Sequence, residues 1–104
     1  MDIPTGEWQT VAAQLIEEPG CCLVQGSVSV VLPSHGNCAF RVTVNGDTIA
    51  EDTSLSRWPR GCHLTAKALH VFGQGDDVRA DVYQDSGQVA MSELVHLAIE
   101  RAKS

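Results

Sequence analysis

From Cys22 to Val44 the chain alternates. Cys22, Val24, Val28, Val30, Leu32, Cys38, Phe40, Val42 and Val44 are apolar, and Gln25, Ser27, Ser29, Ala39, Arg41 and Thr43 between them are polar or small. A period of two puts successive side chains on opposite faces, so the pattern predicts antiparallel strands with one buried face. A first strand is expected from about Cys21 to Leu32 and a second from Cys38 to Val44, joined by a turn over Pro33-Ser34-His35-Gly36-Asn37. Setting Leu32 opposite Cys38 pairs Val30 with Phe40 and Val28 with Val42, so apolar meets apolar across the hairpin. Asn45-Gly46 is a strong hairpin signal, because a type I′ turn needs positive φ at both central residues. It leads into a short third strand, about Asp47 to Asp52, whose charges suit a sheet edge.

Elsewhere the apolar spacing is helical. Trp8, Val11, Ala12, Leu15 and Ile16 share one helix face, with Thr5 as N-cap and Pro19-Gly20 as terminator. Leu64, Ala68, Val71 and Phe72 fit a second helix. Leu64, Ala66, Ala68 and Phe72 fit a strand, with His70 the exception. The propensity of Ala-Lys-Ala-Leu, and Gly73 as a stop, favour the helix. Val78, Ala80 and Val82 alternate with Arg79, Asp81 and Tyr83, which predicts a strand. Asp85-Ser86-Gly87 then turns the chain, and Gln88 to Met91 fits a short return strand. Ser92 reads as the N-cap of a last helix carrying Leu94, Val95, Ala98 and Ala102 on one face. The order α-β-β-β-α-β-β-α predicts an α+β two-layer sandwich, an antiparallel sheet of about five strands with helices on one face.

The 104 residues suit a single domain. No apolar run is long enough for a transmembrane helix, and the N-terminus lacks the basic region and hydrophobic run of a secretory signal. A cytoplasmic protein is therefore expected. The net charge of −6, from 7 basic and 13 acidic residues, argues against direct nucleic acid binding. It suits a protein that imitates nucleic acid and occupies a basic groove.

Four cysteines in such a chain need not pair. The hairpin register sets Cys22 opposite residue 48, roughly 33 Å along the strand from Cys38, so those two cannot form a disulfide. A zinc site would draw on His35, Cys38, Cys62 and His63. Adjacent Cys62-His63 is awkward for that purpose and no Cys-x-x-Cys exists, so buried thiols acting as small hydrophobes are the preferred reading. Asp76 and Asp77 supply too few ligands for calcium. His63 and His70 have no nucleophile motif beside them. No catalytic residue, metal or cofactor is expected.

Two surfaces remain. Arg57-Trp58-Pro59-Arg60 clusters basic residues around a tryptophan, and Arg57, Trp58 and Arg60 are the residue types that dominate interface hot spots. Asp77, Asp81, Tyr83 and Asp85 would share the outer face of one strand and meet a basic partner. The expected function is a small acidic non-enzymatic protein-interaction domain that covers a partner's surface. Inhibitor, adaptor and phage- or mobile-element-encoded antagonist all fit. The element order resembles class I type III secretion chaperones, a resemblance of topology with no residue motif. It implies a homodimer that binds an effector segment. A Cys/His metal-dependent domain or enzyme is the alternative. No membrane partner is expected.

Overall fold

The computed structural model describes residues 1–32, 35–56 and 61–102, without the side chains of residues 55 and 56. Eight strands form in order: β1 (Asp2–Ile3), β2 (Gln9–Leu15), β3 (Gly20–Val31), β4 (Gly36–Val44), β5 (Asp47–Ser56), β6 (Cys62–Phe72), β7 (Asp77–Gln84) and β8 (Ala90–Arg101). They build two antiparallel four-stranded sheets, ordered β1-β8-β3-β6 and β2-β7-β4-β5. That order is the jelly-roll arrangement of a β-sandwich. The described residues contain no helix, so the α+β expectation is overturned, and with it the likeness to secretion chaperones. No helix among them is long and apolar enough to cross a membrane.

The core lies between the sheets, and the even-numbered positions fill it. Val24, Val28, Val30 and Leu64 come from one sheet, and Phe40, Val42, Val78 and Val82 from the other; all are fully buried. The expected alternation is therefore real on β3 and β4, but the expected hairpin is not. β3 pairs with β6 and β8, while β4 pairs with β5 and β7. The chain crosses from one sheet to the other between Val31 and Gly36. Two strands that both bury their even face look alike whether they are neighbours in a sheet or opposed across a sandwich. The Cys22–Cys38 separation drawn from that register has no basis in this fold. At Gly26 the Phe40 ring of the opposite sheet packs against the backbone. A Cβ there would lie 2.8 Å from Phe40 Cζ, so the bare glycine leaves room for the ring.

Three expected helices are strands, each for a local reason. In β2, Thr10 pairs with Asp81 and Ala12 with Ala80, so Val11 is the extra residue of a β-bulge. A bulge shifts the two-residue period by one and leaves consecutive apolar residues, which mimics helical spacing. In β8, Ser27 pairs with His96 and Ser29 with Glu93, so three steps on β8 meet two on β3. Leu94 absorbs the mismatch at φ +51°. Ser92, expected as an N-cap, is a buried strand residue whose N–H donates to the Met1 carbonyl at 2.9 Å. Thr5, the other expected cap, accepts from the Gly87 N–H at 3.0 Å instead. In β6 the strand reading was present in the letters. Cys62, Leu64, Ala66 and Phe72 are buried, and alternation overrides the helix propensity of Ala-Lys-Ala-Leu.

The Asn45-Gly46 turn forms as expected, with φ of 52° and 91°. It closes the β4–β5 hairpin, and β5 is an edge strand as expected. The turn is also tied to the β6–β7 connection. Asn45 Nδ2 donates to Asp76 Oδ1 at 3.0 Å, and the Asp77 N–H donates to Asn45 Oδ1 at 2.9 Å. At the other end, buried Gln84 donates through Nε2 to the carbonyls of Ile3 and Gln88. Its Oε1 accepts from the Ser86 N–H and hydroxyl, so the buried amide is satisfied. Between the sheets' edges, the Thr65 N–H on β6 donates to the Asp52 carboxylate on β5 at 3.0 Å.

Candidate functional site

The outer face of the β2-β7-β4-β5 sheet carries a row of side chains across all four strands. Thr10 lies opposite Asp81, Asp81 opposite Arg41, and Arg41 opposite Glu51. Such directly opposed positions are the ones that interact across a sheet. Arg41 Nε donates to Asp81 Oδ2 at 3.0 Å, and Thr10 Oγ1 donates to Asp81 Oδ1 at 2.7 Å. The Asp81 side chain keeps only 8% of its exposure, against 29% for Arg41. Both of its oxygens are engaged, so the burial cost of the charge is offset by directed bonds.

Trp8, just before β2, closes over this row. The Arg41 guanidinium lies 4.0 Å from the centroid of a Trp8 ring, within cation–π range. The Tyr83 ring lies 5.5 Å from Trp8, tilted by 46°. Ala39 is opposite Tyr83 on β4, a small residue beside the two rings. Indole, phenol and guanidinium thus form one half-buried cluster whose cation is held from below by a carboxylate.

Sequence-predicted site residues are distributed unevenly around it. Asp81 and Tyr83 belong to the cluster. Asp77 pairs with Arg79 at 2.9 Å. Asp85 accepts from the Asn37 N–H at 2.6 Å and from Asn37 Nδ2 at 3.0 Å, tying the end of β7 to the start of β4. The acidic line is therefore largely engaged within the fold. Arg57, Trp58 and Arg60 lie outside the described residues. Trp8 and Arg41 were missed. By spacing Trp8 fits a helix face, and by alternation Arg41 is one polar residue of an outward-facing row.

Both hydrogen bonds from Asn37 hold the Asp85 carboxyl below the usual carboxylate range. At Asp76 the Gly73 N–H and then the Asn45 amide do the same. The Asp76 and Asp77 carboxylates are thus used by turn and strand groups.

The other sheet carries an open pocket of about 460 Å³ on its outer face, lined by Gln25, Ser27, His63, Thr65, Lys67 and His96. Beside the pocket, Ser29 Oγ lies 3.1 Å from Nδ1 of the lining residue His63. A Ser–His pair becomes a nucleophile when an acid orients the imidazole from its far side. Glu93 aligns with Ser29 on the opposite flank from His63. Two strand spacings, about 9.6 Å, therefore separate its backbone from that of His63. The zinc set does not assemble either. Cys62 points inward and His63 outward, and among the described residues no three metal-ligating side chains converge. Comparison with protein-family models and with curated proteins found no match to the chain.

Proposed function

We propose that this domain is a non-enzymatic binding module that covers a protein partner's surface through the outer face of the β2-β7-β4-β5 sheet. The observation that carries the reading is the Trp8–Arg41–Tyr83 cluster, with Arg41 already fixed by Asp81. Trp, Tyr and Arg are the residues that concentrate binding energy at interface centres. Holding them in place beforehand lowers the entropy cost of ordering them on association. A rigid sheet presents them, and the net charge of −6 favours a partner with basic groups around its contact patch. The same reading assigns the domain to the cytoplasm, where four free cysteines are the ordinary state.

The test is quantitative affinity capture from lysate of the source organism with the wild type, Trp8→Ala and Tyr83→Ala side by side. The expected result is a protein retained by the wild type and depleted at least tenfold with both variants, each still folded by circular dichroism. Identical captured sets would overturn the assignment of this face.

A further inference from the structure

Cys38 lies on β4 and Cys62 opens β6, so the two belong to different sheets and stand 24 positions apart in the chain. Their sulfurs meet inside the sandwich at 3.0 Å. Both residues are buried, at 1% and 5% exposure. The other two cysteines have no such relation. Cys21 is exposed on the outer face of β3, and Cys22 Sγ lies 3.9 Å from the Gly20 carbonyl. A disulfide bond is about 2.05 Å long, so bonding the pair asks the sulfurs to approach by about 1 Å.

We propose that Cys38 and Cys62 are a disulfide-forming pair that covalently joins the two sheets when the domain meets a small-molecule disulfide oxidant. The chemistry is two exchanges. One protein thiol loses its proton and its sulfur attacks the oxidant, breaking that S–S bond and expelling a thiolate that takes up a proton. The second protein thiol loses its proton and attacks the mixed disulfide, expelling the oxidant's other half as a second thiol. Two protein thiols are oxidised, and one small disulfide is reduced to two thiols. Burial, and after it the neighbouring Cys62 thiol, push the Cys38 thiol up. The thiolate needed for attack is scarce in the closed fold, and the reaction runs at the rate of local opening. In a reducing compartment the pair stays as two thiols, and oxidant exposure converts it into a cross-sheet link.

The experiment uses the reduced full chain, with Cys21→Ser in parallel to remove the exposed competitor. Each is incubated with oxidised glutathione at pH 8, alkylated, and read by intact mass and peptide mapping. The expected product has two thiols protected from alkylation and a Cys38–Cys62 linked peptide, formed equally in Cys21→Ser. Its Tm rises by roughly 10–20 °C and returns on reduction with dithiothreitol. Glutathione adducts alone, or a link that involves Cys21 or Cys22, would overturn the proposal. So would a Cys38–Cys62 link that lowers Tm. Because the decisive reading is the wild-type peptide map, it does not depend on Cys38→Ser or Cys62→Ser folding.

Discussion

Arg41 and Asp81 sit directly opposite each other on neighbouring strands, and their 3.0 Å ion pair lies on the sheet's outer face with the carboxylate almost fully covered. Removing one partner leaves the other desolvated. Asp81→Ala also takes the acceptor from Thr10. It is expected to cost about 1–3 kcal/mol, measured by urea denaturation. Arg41→Ala should cost about as much, because it strips the buried carboxylate of its cation. The double variant should cost less than the two singles together, which a double-mutant cycle measures directly. Additive losses would show that the pair is not energetically coupled.

Gly26 is a packing constraint, since a methyl there meets the buried Phe40 ring. Gly26→Ala should destabilise by about 1–3 kcal/mol through overpacking. Gly26→Ala combined with Phe40→Leu should recover part of that loss. The readout is the denaturation midpoint at unchanged m-value. A midpoint equal to the wild type would refute the close approach of the sheets at this point.

Acid should act through Asp76 and Asp85. Both carboxyls are held below their ordinary value of 3.8, so the unfolded chain takes up protons first as the pH falls. The stability they contribute is fully present above about pH 4 and is lost as the pH drops through the folded values beneath it. Thermal melts should be insensitive to these two groups from pH 7 to about pH 5 and fall below pH 4. Asp85→Asn should make the acid limb shallower. An unchanged slope in that variant would count against the Asn37 contact.

The bulge in β8 yields a test of opposite sign for the two readings of its sequence. Leu94 is 81% exposed at φ +51°, where a side chain is strained and glycine is not. Leu94→Gly should therefore leave stability unchanged or raise it by up to about 1 kcal/mol. In the helix that the letters suggest, the same change would cost about 1 kcal/mol. Chemical denaturation decides between them.

What the letters carried was the two-residue period and the turn chemistry. Strands β3, β4 and β7, the Asn45-Gly46 turn and the edge position of β5 all follow from those signals. Bulges hide β2 and β8, and in β6, whose register is unbroken, the helix propensity of Ala-Lys-Ala-Leu masks the alternation. At Val11, and at Leu94-Val95, one added residue converts alternation into spacing indistinguishable from a helix stripe over two turns. Partner choice was also invisible, because the burial of Val28 and Phe40 says which face is inward and not which strand lies alongside. The candidate surface was half legible. Asp81 and Tyr83 follow from alternation on β7. Trp8 and Arg41 join them through pairings between residues far apart in the chain, and no local pattern encodes those.

The Thr65–Asp52 bond has a bearing on self-association. An outward N–H on an edge strand is the hook by which another chain's strand attaches. On β6 that hook is taken by a carboxylate from the same molecule, and the carboxylate brings negative charge to the flank. At Thr65 a second copy approaching edge to edge meets an occupied donor and an acid where it needs a free one, which disfavours strand addition at that point of β6.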